Sequence, residues 1–192
     1  MRRLLLASSS PYRRELLSRL RLPFDCRAPE VDETPHPDES PEQLVRRLSR
    51  EKALTLTETH PDHLIIGSDQ AAVLGDRIIG KPYTLERARE QLLSCSGKRL
   101  DFLTGLTLLD TRNGAEQVDC LRFSVHFREL SEAQIERYLI AEQPFDCAGS
   151  FKAEGLGISL FRATEGEDAT SLIGLPLIRL VEMLNSAGIE VP

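Results

Sequence analysis

Hydrophobic and polar positions change period repeatedly along the chain, and this pattern predicts strands that alternate with helices. Apolar runs typical of short buried strands occupy residues 3–7, 24–27 and 63–67. Helical periodicity is predicted over residues 10–20, 40–57, 84–93, 131–140 and 175–185. A proline-rich stretch at residues 30–41 predicts a loop, and a glycine-rich stretch at residues 149–157 leads into a further strand.

Turn residues predict two β-hairpins among these elements. Gly75-Asp76 and Asn113-Gly114 each separate two segments of strand character. Because hairpins interrupt the alternation of strands and helices, the sheet should be mixed rather than all-parallel. The prediction is an α/β fold with a mixed, twisted central sheet flanked by helices, in a single domain spanning residues 1–192.

Composition narrows the classes of partner. The chain has 24 Lys+Arg against 30 Asp+Glu and a formal net charge of -6, so no long nucleic acid is expected to bind. No apolar window is long enough to span a membrane, and the short apolar start does not make a signal peptide. We therefore expect a cytoplasmic protein without a membrane partner.

Polar and basic residues in several segments suit the binding of a chain of phosphates. A run of three serines that begins at Ser8 ends the first strand, and Arg13 follows within the next helix. Hydroxyls, helix-start N–H groups and a guanidinium all bind phosphate oxygens, although a helix cap followed by solvated arginines is the alternative. Lys52 on a helix adds positive charge, or is a solvated lysine, and Lys81 in a rigid Gly-Lys-Pro turn is a weak signal when taken alone.

Acidic residues in two other segments suit a divalent cation. Glu30, Asp32 and Glu33 would repel one another unless a cation lies among them, and a solvated acidic loop is the alternative. Asp69 follows an apolar strand, a favoured position for a metal ligand or a general base, although a simple turn also explains it. No histidine stands out as a base, so Asp69 is the candidate base.

Phosphate-binding and metal-binding residues together are what phosphoryl chemistry requires. The sequence has no P-loop and no Gly-x-Ser-x-Gly nucleophile motif, which favours attack by water.

Six short motifs follow one another in a specific order. They are Leu5-Leu6-Ala7-Ser8-Ser9-Ser10-Pro11 with Arg13-Arg14, Val31-Asp32-Glu33, Glu51-Lys52-Ala53, Gly67-Ser68-Asp69, Gly80-Lys81-Pro82 and Gly149-Ser150-Phe151. Across essentially the whole chain they resemble the Maf family of nucleoside triphosphate pyrophosphatases. The resemblance implies hydrolysis between the α and β phosphates of a nucleotide substrate with a divalent cation (Mg²⁺, Mn²⁺ or Co²⁺). It also implies an inosine-triphosphatase-like fold of two lobes with a cleft, and a homodimer, since relatives are often dimers.

The resemblance also implies roles for individual residues. Phosphate would be bound by Ser8, Arg13, Lys52 and Lys81. The metal would be bound by Glu33 and Asp69, and Asp69 would be the catalytic proton acceptor.

Substrate choice is implied by three further residues, Tyr12, Gln70 and Glu154. Gln70 and the segment around Glu154 resemble the branch of the family that acts on 7-methyl-GTP and removes this modified nucleotide from the pool. The Glu154 carboxylate can accept hydrogen bonds from the N1–H and amino groups of guanine, and N7 methylation gives that base a positive charge. Such a base favours an aromatic face, which Tyr12 can supply. A solvated loop carboxylate is the alternative for Glu154.

Two other functions stay open at this point. The chain could hydrolyse dTTP or UTP within the same family, or it could bind nucleotides as a cell-division regulator without significant turnover.

Overall fold

A mixed seven-stranded sheet runs through the part of the chain that this computed structural model describes, residues 2–192. Its strands are β1 (Arg3–Ala7), β2 (Phe24–Arg27), β3 (His63–Leu74), β4 (Arg77–Ile79), β5 (Arg99–Asp110), β6 (Glu116–Phe127) and β7 (Phe161–Glu165). Their order is β2-β1-β3-β5-β6-β7, and β4 pairs with β3. β1 is parallel to β2 and to β3, whereas β3–β4 and β6–β7 are antiparallel. The predicted mixed sheet is confirmed.

Six helices and two 3₁₀ turns accompany the sheet in residues 2–192. The helices are α1 (Pro11–Ser18), α2 (Pro41–Leu54), α3 (Leu85–Cys95), α4 (Glu132–Glu142), α5 (Ala169–Ile173) and α6 (Leu177–Ser186). The 3₁₀ turns are Ala148–Ser150 and Leu156–Leu160. None of these helices combines the length and the apolarity that a membrane span requires.

The elements divide into two compact units. The first unit contains residues 2–70, 103–121 and 168–192, and the second unit contains residues 71–102 and 122–167. Strands β3, β5 and β6 each contribute to both units, because the chain crosses from one unit to the other within them.

Alternate side chains of β1 build two apolar layers in the first unit. Leu4 and Leu6 pack in a cluster with residues of α1 and α6, whereas Leu5 and Ala7 pack in another with Ala53 of α2. Since successive side chains of a strand point to opposite faces, helices cover both faces of the sheet here. Both faces of β1 are therefore apolar, which is why its continuous apolar run predicted a strand at the bounds observed.

The second unit has an aromatic core. Ring centroids 4.8–5.8 Å apart join its edge-to-face pairs. The rings belong to Phe102, Phe127, Phe151 and Phe161. Edge-to-face packing suits the ring quadrupoles and fixes the Gly149-Ser150-Phe151 motif through its phenylalanine.

The largest departure from the predicted elements concerns β3. The sequence predicts a strand that ends at residue 67 and a separate hairpin around Gly75-Asp76, but β3 continues through Leu74 as one strand. Asp69 therefore lies within the strand, and the simple turn considered for it is wrong. The strand can run through this polar stretch because the Ser68 hydroxyl and the Gln70 amide are hydrogen-bonded inside the first unit.

Candidate active site

The serine run begins at the carboxyl end of β1, where it starts helix α1. Ala7 pairs with Gly67 of β3, so Ser8 and Ser68 directly follow the last residue pair of these two parallel strands. Ser8 is buried, and its hydroxyl accepts a hydrogen bond from the Ser10 N–H at 3.1 Å. Ser10 is the N-cap of α1 and accepts from the Arg13 N–H. The predicted helix cap is thus present at Ser10, one turn before Arg13.

Lys52 lies between two carboxylates from different parts of the chain. Its Nζ is 2.6 Å from Asp69 Oδ1 and 2.6 Å from Glu33 Oε1. Lys52 is 7% exposed and Asp69 8% exposed, whereas Glu33 is exposed. The solvated lysine that was the alternative for Lys52 is therefore wrong.

Two glycines explain why α2 brings Lys52 so close to the sheet. A Cβ atom on Gly67 of β3 would lie 2.0 Å from the Ser49 carbonyl oxygen of α2. A Cβ atom on Gly105 of β5 would lie 2.1 Å from the Val45 carbonyl oxygen. Only a residue without a side chain allows this approach, so both glycines are steric requirements for the contact between Lys52 and Asp69.

Burial and charge oppose each other in this group of residues, which we call the ion cluster (Arg13, Glu33, Lys52 and Asp69). Burial raises the pKa of the Asp69 carboxyl, and the positive charges of Lys52 and Arg13 offset only part of this effect. Burial also lowers the pKa of the Arg13 guanidinium, against the attraction of Asp69 and Glu33. The carboxylate that is predicted to accept a proton is thus a stronger base than a solvated aspartate.

The carbonyl of Gly174, at the C-terminal end of α5, orients Arg13. The Arg13 Nε donates to the Gly174 oxygen at 2.8 Å, and the Ser68 hydroxyl is 3.0 Å from the same oxygen. Gly174 has φ 122°, a conformation that favours glycine. Sequence reasoning missed this contact, and the only available signal was the glycine itself.

Gln70 has a second role that the sequence did not predict. Its Nε2 donates to the carbonyl oxygens of Ser171 at 2.7 Å and Leu172 at 3.2 Å, and lies 3.0 Å from Thr104 Oγ1. The side chain thus ties β3 to the carbonyls of α5, close in sequence to Gly174. Whether Gln70 also selects a base stays a prediction.

The other predicted residues are held in different surroundings. Tyr12 is half-buried on α1 of the first unit. Lys81 and Glu154 are exposed and belong to the second unit. The structure thus brings together four predicted residues in the ion cluster, beside a strand end that carries Ser8.

The carboxylates of the ion cluster fit a cation that completes its ligand shell with substrate. Residues 2–192 contain no group of three or more His, Cys, Asp or Glu side chains arranged to hold a metal. Glu33 and Asp69 nevertheless converge on one positive charge, the Lys52 ammonium. Mg²⁺ is commonly held by one or two carboxylates together with water and substrate phosphates, so this donor set fits such an ion.

The sequence defines the class of protein. Residues 3–187 match the family described as Maf-like protein, so the chain belongs to the Maf family. This confirms the family predicted from the six motifs.

Individual members of the family are similar to this chain over almost its whole length. The chain is 66% identical over 189 residues, 98% of both chains, to a 7-methyl-GTP pyrophosphatase of Pseudomonas fluorescens. It is 67% identical, over the same shares, to a 7-methyl-GTP pyrophosphatase of Pseudomonas syringae pv. tomato. Among solved structures, the Staphylococcus aureus Ham1 protein superposes with a TM-score of 0.43 at 14% identity, over 66% of this chain and 72% of that one.

Proposed function

We propose that this protein hydrolyses 7-methyl-GTP to 7-methyl-GMP and pyrophosphate. The observation that carries the proposal is the shared name of relatives that are 66% and 67% identical over 98% of the chain. The ion cluster supports it, because it gathers two cations and two carboxylates at the carboxyl end of a parallel strand pair. That composition suits a phosphate chain and an attacking water better than a neutral ligand.

In the proposed reaction, water attacks the α phosphorus. Asp69 accepts a proton from the water as its oxygen bonds to phosphorus, and the bond from phosphorus to the bridging oxygen of the β phosphate breaks. Pyrophosphate then leaves with the electron pair of that bond. Burial raises the pKa of the Asp69 carboxyl, and this favours its role as the base.

The cations of the cluster neutralise the phosphate oxygens. Arg13 presents its remaining guanidinium N–H groups while Nε stays on Gly174, and Lys52 contributes a compact ammonium. Ser8 adds a hydroxyl at the start of α1, and we assign Lys81 to the same task. Positive charge that is already fixed needs little reorganisation as charge shifts to the leaving pyrophosphate.

Glu33 and Asp69 would hold the divalent cation together with substrate phosphates. Such a cation polarises phosphorus–oxygen bonds and lowers the pKa of water when bound. We propose Mg²⁺, Mn²⁺ or Co²⁺, because carboxylate oxygens are hard ligands.

We assign recognition of the base to Tyr12, Gln70 and Glu154. A carboxylate at position 154 suits the cationic 7-methylguanine, and Tyr12 offers an aromatic face. A single domain over residues 1–192, a homodimer and a cytoplasmic location stay predictions.

A nucleotide panel tests the proposed function. The protein is incubated with 7-methyl-GTP, GTP, dTTP and UTP, each with Mg²⁺, Mn²⁺ or Co²⁺, and pyrophosphate and orthophosphate are measured separately. We expect pyrophosphate from 7-methyl-GTP at the highest kcat/KM and no turnover after the cation is chelated. The same panel with Asp69→Asn detects a contaminating phosphatase.

Each other outcome of the panel contradicts a different part of the proposal. Orthophosphate as the first product excludes cleavage between the α and β phosphates. A higher kcat/KM for dTTP or UTP excludes the assigned substrate. Calorimetric binding of 7-methyl-GTP without any product favours the nucleotide-binding regulator instead.

A further inference from the structure

The loop that carries Glu33 has no regular structure of its own. Residues 28–40 connect β2 to α2 and contain neither helix nor strand. Glu33 is exposed, yet its carboxylate lies 2.6 Å from the buried Lys52 ammonium. An exposed carboxylate on an irregular loop keeps such a contact only if something else holds the loop.

Arg47 of α2 makes the contacts that hold it. Its Nε is 2.7 Å from Glu39 Oε1, and its Nη2 is 2.8 Å from Glu39 Oε2, a bidentate pair. The same Nη2 donates to the Thr34 carbonyl oxygen at 3.2 Å, and Nη1 is 3.1 Å from Glu51 Oε2. One guanidinium therefore binds the loop beside Glu33 and again near its end, and is itself braced by Glu51.

The loop side of this contact is well organised. Glu39 Oε2 also accepts a hydrogen bond from the His36 N–H at 3.0 Å, which closes residues 36–39 into a turn. The Arg47 guanidinium lowers the pKa of Glu39 to about 2, so the carboxylate stays charged at any pH at which the protein would be assayed. The pair is also shielded, with side-chain exposures of 17% for Arg47 and 8% for Glu39.

Helix α2 thus carries both Arg47, which holds the loop, and Lys52, which meets Glu33. The distance between these two side chains is set by the helix rather than by the loop. Since Thr34 adjoins Glu33 in sequence, fixing the Thr34 carbonyl limits where the Glu33 carboxylate can lie.

We propose that Arg47 is a positioning residue that fixes the loop of residues 28–40, so that Glu33 stays at the ion cluster. Arg47 acts through Glu39 and Thr34 and does not touch the reacting atoms. The catalytic consequence rests on the proposed function, in which Glu33 binds the divalent cation. The effect on loop order is independent of the proposed function.

The test compares Arg47→Ala with Arg46→Ala, its neighbour on α2. Arg46 pairs with Glu42 and Asp119, so the control removes the same side chain and leaves the loop contacts in place. Hydrogen exchange of the amides of residues 28–40 is measured on the protein alone, without cation or nucleotide. We expect at least tenfold faster exchange at His36 and Glu39 in Arg47→Ala, and no change in Arg46→Ala.

A second readout connects loop order to the cation. The Mg²⁺ concentration that gives half-maximal hydrolysis of 7-methyl-GTP should rise about 10–100-fold in Arg47→Ala, the range found when a group that orients a metal ligand is removed. At saturating Mg²⁺ the kcat should return to within a few-fold of the unsubstituted protein. Arg47→Lys keeps the charge but not the bidentate geometry. Its half-maximal Mg²⁺ concentration should lie between those of the unsubstituted protein and Arg47→Ala.

The outcomes separate the two proposals. Unchanged exchange in Arg47→Ala, or the same change in Arg46→Ala, overturns the positioning role. If the unsubstituted protein does not hydrolyse 7-methyl-GTP, the proposed function fails while the exchange result still decides the role of Arg47. If Arg47→Ala does not fold, Glu39→Gln removes the same ion pair from the loop side, and its exchange decides the question.

Discussion

The first and second units hold their predicted functional residues in opposite ways. In the first unit, charged side chains hold one another: Lys52 contacts Glu33 and Asp69 directly. In the second unit, Lys81 and Glu154 are exposed, and polar side chains instead hold the backbone of the turns that carry them. The difference suggests a division between the ion cluster of the first unit, whose charges are fixed for the reaction, and the exposed side chains of the second unit, which are available to contact substrate.

Two side chains organise the turns of the second unit. Gln91 of α3 donates to the Gly80 carbonyl at 3.0 Å and accepts from the Ser150 hydroxyl at 2.6 Å, which joins two of the six sequence motifs. Glu142 of α4 accepts from the Leu156 N–H at 2.7 Å, two residues after Glu154. In this unit hydrogen bonds therefore fix the backbone of the turns, while the side chains of Lys81 and Glu154 are exposed.

The largest effect is expected from Asp69→Asn, which removes the proposed base but keeps the size of the side chain. The kcat for 7-methyl-GTP should fall about 10²–10⁴-fold, the usual contribution of general-base catalysis. Nucleotide affinity, measured by calorimetry, should be largely kept. Asp76→Asn, at the exposed β3–β4 turn, is the control and should behave as the unsubstituted protein. A kcat for Asp69→Asn within a few-fold of that of the unsubstituted protein would mean that Asp69 of the first unit is not the catalytic base.

The next effect concerns Arg13→Lys, which keeps the charge but loses the planar guanidinium that both binds Gly174 and faces the cluster. We expect kcat/KM to fall about 10²-fold, similar to the loss of one fixed donor to developing negative charge. Arg14→Lys, the exposed neighbour on α1, is the matched control. Unchanged kcat/KM in Arg13→Lys would mean that the positive charge, and not the geometry fixed by Gly174, is what matters.

These two predictions also show how far the sequence could lead. Ser8, Arg13, Lys52 and Asp69 were singled out because their residue types suit phosphate and metal chemistry. That Lys52 bridges Glu33 and Asp69 was not predictable, because the contact depends on how closely α2 approaches β3 at Gly67. No local pattern reports on such a distance between segments far apart in the chain.

The fold shows the same limit. The predicted bounds of β1 and β2 are the observed ones, and capping boxes at Ser40 and Ser131 begin α2 and α4 where the predicted helices begin. Helix α5 was not predicted, because five residues are too few to show a helical period. The Gly174 carbonyl that it presents to Arg13 is a backbone atom, which leaves no side-chain signal to detect.

A smaller effect, on substrate choice, is expected from Glu154→Gln in the second unit. The amide keeps the size of the side chain but loses the charge that should favour cationic 7-methylguanine. The ratio of kcat/KM for 7-methyl-GTP to that for UTP should fall about tenfold, which corresponds to about 1.4 kcal/mol. Glu90→Gln, at an exposed position on α3, should leave the ratio unchanged. A fall in kcat/KM that is equal for both nucleotides would assign Glu154 to a task other than reading the base.

The smallest catalytic effect is expected from Gln91→Ala, which cuts the link between the turn of Lys81 and the motif around Ser150. Ser150 is fully buried, so the loss of its acceptor should lower the free energy of unfolding by about 1–3 kcal/mol in urea titrations. Because Lys81 keeps its own turn, the KM for 7-methyl-GTP should rise only a few-fold. Gln91→Glu can still accept from Ser150 but cannot donate to the Gly80 carbonyl, so it should recover most of the stability and little of the KM. If Gln91→Ala instead lowered kcat as much as Asp69→Asn does, the backbone of the second unit would be as important to the reaction as the ion cluster, and the proposed division between the units would be wrong.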